Sequence, residues 1–300
     1  MPSFVGPFLV AAIVATTTLA IALQVQDLSV SFARDLTSST WALQNVRVQI
    51  VVARYAEDVS WLANLPFDNV VVYDKNDRKD TRDFPAPSNA KVVKLPNVGR
   101  CDHTYLYHIV SNWDSLADVT VFVPGSCANL DAKWRKLEWV IDRVRRTGDS
   151  AFPIDSVIRR PLHEAYHHFV MESYAASTSV NATANPEMEL QLCKHRPYGE
   201  FFRHNFPETP IVHEIMFKGV FAVSRAHIHQ NPRSRYEKLL SYLDHHSNPE
   251  AGHFIERSWL AVFYPIPNEC LSVATCWHTD SFDTWFLIVS ITLLMSVTMF

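Results

Sequence analysis

Arg54, Glu57 and Asp58 directly follow one run of β-branched residues, Asp74 and Lys75 follow a second, and Asn97 and Arg100 lie in a Pro-Asn-Val-Gly-Arg turn after a third. Ser126 and Arg225 follow two further apolar runs, and Glu256 with Arg257 sits inside a later aromatic-rich segment. Arginines at the ends of strands hold a diphosphate through bidentate hydrogen bonds. Asp74 can accept hydrogen bonds from a base or sugar, and Glu256 can accept a proton. One positioned carboxylate, with cationic help for a departing phosphate, is enough for a hydroxyl to attack an activated sugar. Each residue also has a plainer reading. Arg54 and Glu57 would be a surface ion pair, Asp74 and Lys75 solvated loop residues, Asn97 and Arg100 shapers of a turn, and Glu256 and Arg257 the wet side of a helix.

A different chemistry is spelled at His163-Glu164-Ala165-Tyr166-His167. On a helix, histidines at i and i+4 share a face and would hold zinc, with Glu164 as general base of a zinc-dependent hydrolase. A third ligand would have to come from Glu172, Glu187, Glu189 or His195, none at a familiar spacing, so helix-surface histidines are the reading that costs least. His227 and His229 are a further pair of ligand types.

The elements that must position these residues are legible. Val48 to Ala53 is apolar on both faces apart from Gln49, which fits a strand of a parallel sheet covered by helices. A short helix-compatible segment, Asp58 to Leu65, stops at Pro66, and Val70 to Tyr73 makes a second strand. Lys91 to Leu95 is a third strand, after the polar stretch 74–90. Asp102 can cap the next helix, whose apolar face is Tyr105, Leu106, Ile109 and Val110. Asp118 to Val123 is a fourth strand, broken by Pro124-Gly125-Ser126. A long amphipathic helix starts at Asp131, with Trp134, Leu137, Val140, Ile141 and Val144 on one side. Lys133, Arg135, Lys136, Arg143, Arg145 and Arg146 mostly occupy its solvated side. Residues 147–210 are irregular. Gly219 to Ser224 is a later strand, helical turns follow near Arg225 to His229, and helices are expected from Arg233 to about His245 and from His253 to Phe263. The order describes one α/β domain, a mostly parallel central sheet flanked by helices, with a crevice along the carboxyl ends of its strands.

Composition excludes several classes. The 300 residues carry a formal net charge of -4 and no sustained basic tract, which argues against nucleic acid. Only 7 glycines are present and no glycine-rich phosphate loop is spelled. Residues 1–26 are uncharged and Phe8 to Leu23 is apolar apart from three threonines, as in a signal anchor or signal peptide. Residues 27–47 read as a stem, 48–269 as the α/β domain, and 270–300 as a loop with the apolar tail Thr284 to Phe300. The Asn181-Ala182-Thr183 sequon fits a glycoprotein facing a lumen. Five cysteines are too few for a disulfide scaffold, although Cys270 and Cys276 could pair. Membrane attachment in the secretory pathway, in the Golgi or endoplasmic reticulum, is the expectation.

Several stretches also resemble a known family. These are Arg54-Tyr55-Ala56-Glu57-Asp58 with Trp61-Leu62; Val72-Tyr73-Asp74-Lys75; Leu95-Pro96-Asn97-Val98-Gly99-Arg100 with Thr104-Tyr105-Leu106; and Leu116-Ala117-Asp118-Val119-Thr120-Val121-Phe122. Over roughly residues 48–265 they look like the DUF3431 group, a widespread eukaryotic and bacterial domain of unknown function. More remotely, Gly219 to Arg225 and His253 to Trp259 are similar to late segments of nucleotide-sugar glycosyltransferases with the GT-A fold. That resemblance implies a GT-A-like domain with Glu256 as base, Arg54 and Asp74 on the nucleotide, and Arg225 near acceptor or donor. It implies a nucleotide-sugar donor and a glycan, protein or lipid acceptor. The acidic D-x-D metal motif of many such enzymes is absent here, where Val123-Pro124-Gly125-Ser126 stands. A metal-independent enzyme would need Arg54, Lys75, Arg100 or Arg257 to neutralise the leaving diphosphate. The alternative is a non-catalytic, membrane-anchored domain that binds carbohydrate or protein.

Overall fold

Four parallel strands carry the frame: β1 (Val48–Arg54), β2 (Val70–Asp74), β3 (Ala90–Lys94) and β4 (Val119–Pro124). The computed structural model describes residues 46–76, 88, 90–172 and 190–273, all within one compact unit. The apolar chain ends, most of the stem, the Asn181 sequon and Cys276 lie outside the described residues. Among the described residues no helix is long and apolar enough to cross a membrane.

The chain then gives α1 (Arg100–Ser111), α2 (Asp131–Thr147), β5 (Phe152–Ile154), β6 (Ser156–Val157), α3 (Leu162–Ala165) and α4 (Tyr198–Asn205). It continues with β7 (Glu214–Ile215), β8 (Phe221–Ser224), α5 (Arg225–His229), α6 (Arg233–Leu240), α7 (Glu250–Val262) and β9 (Leu271–Val273). The main sheet has the order β3-β2-β1-β4-β8, with β8 antiparallel to β4. Two short ladders, β5 with β9 and β6 with β7, lie outside it.

The two-sided apolar pattern of the strands does what alternation requires. Val51, Ala53, Val71, Tyr73, Phe122 and Phe221 point to one face, against Tyr105, Leu106 and Ile109 of α1 and Phe254, Trp259 and Leu260 of α7. Ile50, Val52, Val70, Val72, Val121 and Val123 point to the other, against Trp61, Leu62 and the α2 residues Leu137, Val140, Ile141 and Val144. Full burial of each such side chain is worth about 1.5–3 kcal/mol. Edge strand β3 is mostly exposed and carries Lys91 and Lys94, charges that discourage further pairing.

Four expectations are corrected. The segment after β1 is a 3-10 turn, Ser60–Asn64, and Asp58 accepts from the Ser60 amide at 2.8 Å. Asp102 does not cap α1. The helix begins at Arg100, its N-cap Gly99 (φ 58°) and Arg100 itself (φ 57°) both left-handed, and Asp102 is buried in its first turn. A Cβ at Gly99 would stand 2.5 Å from the Leu243 carbonyl oxygen, so only glycine fits that approach. The folded unit also runs past residue 269, because β9 pairs with β5 (Phe152↔Leu271).

The fourth concerns α2. Lys136 is not on a solvated face but 2% exposed, where Nζ donates to Asp155 Oδ2 at 2.5 Å, Phe217 O at 3.1 Å and Pro153 O at 3.2 Å. Lys218 Nζ holds the other Asp155 oxygen at 3.1 Å. Removing one partner of a buried pair leaves an uncompensated charge, so Lys136→Ala is expected to cost about 3–5 kcal/mol. The midpoint of denaturant unfolding measures it; a loss below about 1 kcal/mol, the worth of an exposed pair, would show that the knot is not structural.

Candidate functional site

The strand order reverses between β1 and β4: β2 and β3 lie to one side of β1, β4 to the other. Open α/β sheets bind ligands at such a switch point, outside the carboxyl ends of the strands. At that edge stand the residues after β1 (Arg54 to Asp58) and those after β4 (Gly125 to Leu130).

Arg54 and Asp74 close the floor. Arg54 Nη1 donates to Asp74 Oδ1 at 2.6 Å, with the side chains 7% and 3% exposed, and Lys94 reaches the second Asp74 oxygen. Arg54 Nε donates to the Glu57 carbonyl at 2.8 Å and thereby fixes the turn after β1. The Glu57 carboxylate accepts from the Tyr55 and Ala56 amides at 2.7 and 3.1 Å. Gly125 lies against it: a Cβ there would be 3.0 Å from Glu57 Oε2 and 3.2 Å from the Ala53 carbonyl. The two loops therefore meet, and a Cβ at Gly125 would crowd that contact.

Lys133 joins this meeting point. It lies in the first turn of α2, and helical side chains lean toward the N-terminus, so Nζ reaches back to Ser126 Oγ at 2.7 Å. Burial pulls its pKa down, while Cys101, Cys127, Glu57 and Glu256 act in the opposite direction. Glu57 after β1 and Glu256 on α7 thus both act on one ammonium group. Sequence reading placed Lys133 on the solvated face; the signal that it is not is its position just after the loop that ends β4.

The third wall starts from Lys75, whose Nζ donates to Val98 O at 2.6 Å and to Arg100 O and so clamps the 96–100 turn. Burial pulls Lys75 down to about 7. Asn97 is half-buried within that turn. Arg100 Nη1 lies 2.9 Å from the His253 ring nitrogens. Burial, reinforced by Arg100 and Arg257, pulls His253 down to about 3, so it is neutral at physiological pH. Arg257, on the same helix, donates to His253 O at 2.8 Å and lies over the Phe169 ring at 3.8 Å. Its Nε is buried without a hydrogen-bond partner among the described residues. Glu256 Oε1 accepts from the Lys218 amide at 3.1 Å.

Of the residues singled out from sequence, Glu57, Asn97, Arg100, Glu256 and Arg257 belong to these walls, and Arg54, Asp74 and Lys75 lie beneath as a bonded floor. Arg225 does not join them. Because β8 is antiparallel, its carboxyl end lies beside the start of β4 (Val119↔Ser224), and Arg225 pairs there with Asp118 at 2.7 Å. The zinc reading of His163, Glu164 and His167 also fails. Helix α3 ends at Ala165, Glu164 is exposed, His163 stacks on Phe202, and the His167 carbonyl accepts from the Gly199 amide at 3.0 Å. The i,i+4 face does not exist.

A divalent cation does not suit the loop after β4. That loop has no carboxylate, the neighbouring Glu57 Oε2 is turned onto two amides, and an ammonium group is bonded to Ser126. The positive charge there is supplied by lysine and arginine.

The fold defines an α/β protein with a strand-order switch point between β1 and β4, the place where open α/β sheets take ligands. The chain belongs to the family described as protein of unknown function (DUF3431), whose model matches residues 50–279. No curated protein matches it. Among solved structures it is similar to glucosyl-3-phosphoglycerate synthase from Mycobacterium tuberculosis in complex with Mn2+ and UDP-glucose, at 14% identity over 63% of this chain and 59% of that one, TM-score 0.34. It is also similar to mannosyl-3-phosphoglycerate synthase from Rubrobacter xylanophilus, at 13% identity over 61% and 55%, TM-score 0.28. The chain thus spans less than two thirds of either, and likeness at this level does not say what it binds.

Asp102, behind the cleft, gives a pH signature. It accepts from Trp259 Nε1 at 3.0 Å, and burial, reinforced by Glu256, pushes it up to about 7. A folded value above the unfolded one, roughly 3.9, makes its contribution to stability full below that value and lost as pH rises through about 7. Asp102→Asn keeps the acceptor and removes the titration. The stability of the variant relative to the wild type is expected to rise between about pH 4 and 8, read from denaturant midpoints. A flat difference would mean that Asp102 is not held protonated.

Proposed function

We propose that the chain is a glycosyltransferase that moves a sugar from a nucleotide-sugar donor to a hydroxyl acceptor, with the donor diphosphate at the crevice between β1 and β4. The observation that carries the reading is the contact of the two switch-point loops, with Glu57 against Gly125 and Lys133 reaching back to Ser126 at 2.7 Å. Arg257 follows Glu256 on α7 and has a buried donor without a partner among the described residues, and Arg100 meets His253 one turn earlier on the same helix.

In this reading the acceptor hydroxyl oxygen attacks the anomeric carbon, its proton passes to Glu256, and the bond from that carbon to the diphosphate breaks. Lys133, Arg100 and Arg257 take up the charge that develops on the leaving diphosphate, which a divalent metal would otherwise neutralise. Arg54, Asp74 and Lys75 act one layer down by fixing the loops. Asn97, half-buried in the 96–100 turn, is a neutral group that can accept from, or donate to, the sugar and base, while the buried Glu57 carboxylate holds the turn after β1.

The full-length chain is to be titrated with UDP- and GDP-sugars by calorimetry and assayed for sugar transfer with and without EDTA. Binding of one donor is expected, with turnover insensitive to EDTA. Glu256→Gln is expected to lower turnover about 10²–10⁴-fold while retaining donor binding. Lys133→Ala is expected to weaken donor binding about tenfold, the worth of one charge-assisted hydrogen bond. Unchanged turnover in Glu256→Gln would remove the base, and failure of every donor to bind would remove the proposal. Binding without transfer would instead fit the non-catalytic domain.

A further inference from the structure

The far end of the sheet carries a second group of reactive side chains that the cleft does not use. Asp149 follows the C-cap glycine of α2, His227 lies in α5, and Cys270 ends the 3-10 turn before β9. Long-range pairing brings these separate segments together: Ala151 bridges Ala222 of β8, and Phe152 of β5 pairs with Leu271 of β9. One ligand atom from each of Asp149, His227 and Cys270 lies within 4.8 Å of the others. Among the described residues this is the one grouping of histidine, cysteine and carboxylate at such spacing.

We infer that Asp149, His227 and Cys270 form a zinc site that fastens the C-terminal strand β9 to the β8–α5 end of the sheet. Three features carry this. The donor set of one sulfur, one imidazole nitrogen and one carboxylate oxygen suits zinc, whereas calcium and magnesium call for oxygens. The cluster is graded from inside to outside: Cys270 is 3% exposed, His227 is buried, and Asp149 is half exposed, leaving a fourth position open to water. The imidazole is held through Nδ1, with Ser150 Oγ 2.6 Å and Ser224 Oγ 3.4 Å away, which leaves Nε2 as the nitrogen for the metal. Zinc–ligand bonds of about 2.0–2.3 Å bring tetrahedral donors to about 3.5 Å apart, so small side-chain rotations close the site. Binding releases the Cys270 thiol proton to solvent, and the thiolate and carboxylate together balance the dication. The site tethers β9 and stands apart from the cleft, at the opposite end of β4.

The test is zinc itself, titrated into the reduced full-length chain against a competing chelator, with cobalt as a spectroscopic substitute. One equivalent is expected, with a rise in Tm that grows with free zinc and a sulfur-to-cobalt charge-transfer band. His227→Ala and Cys270→Ser are expected to lower affinity at least about 100-fold, and Cys270→Ser to abolish the band. Should either buried variant fail to fold, Asp149→Asn, at the half-exposed ligand, is expected to fold and to weaken zinc about tenfold or more. His163→Ala with His167→Ala is expected to leave zinc binding unchanged. Absence of stoichiometric zinc, affinity unchanged in these ligand variants, or a Cys270–Cys276 disulfide found by mass analysis of the non-reduced chain would overturn the inference.

Discussion

The ion pair between Arg54 and Asp74 is the interaction on which the cleft depends. Both groups are nearly out of water, at 7% and 3% side-chain exposure, and each would be costly alone. The pair is sustained because the remaining valences are filled, by Lys94 on Asp74 and by the Glu57 carbonyl on Arg54. Order spreads from it in two directions. Through the Glu57 carbonyl it fixes the turn that lays a carboxylate beside Gly125 and Lys133. Through the next residue in the chain, Lys75, it fixes the Val98 and Arg100 carbonyls, hence the side of the cleft on which Arg100 meets His253. With the floor satisfied internally, Lys133 on Ser126, Arg100 on His253 and Arg257 on the His253 carbonyl are the cations that the proposed reading turns toward a diphosphate.

The strands were legible from sequence because runs such as Val48 to Ala53 and Val70 to Tyr73 are apolar on both faces, and only a covered sheet accommodates that. Helix α5 and the start of α2 were equally plain. The direction of β8 is not, because alternation of side chains in a short run is the same whichever way the strand runs. Arg225 was therefore assigned to the cleft edge, and the antiparallel β8 carries it to the other end, beside Asp118. Lys133 and Lys136 escape the helical pattern for a related reason. Helical periodicity tells which residues share a face but not that a long side chain can lean back over the preceding turn or thread beneath a neighbouring loop. The HEAYH segment failed because tertiary bonds overrode local spelling. The amides of Tyr198 and Gly199 take the carbonyls of Phe169 and His167, and the helix ends after four residues.

The sheet thereby separates two chemistries. At the carboxyl ends of the parallel strands the loop after β4 carries no carboxylate, and Lys133 is bonded there to Ser126. At the opposite end sulfur, imidazole and carboxylate gather where β5, β8 and β9 come together. In the proposed readings one end would hold an anion while a bond breaks, and the other would hold chain segments in register.

The central claim is that a nucleotide diphosphate sits at the β1/β4 switch point, and amide hydrogen exchange of the full-length chain with and without a UDP-sugar tests it most directly. The account expects slowed exchange in residues 54–58 and 125–134, with 225–230 unaffected. Protection confined to 225–230, or none anywhere at donor concentrations that saturate binding, would contradict it.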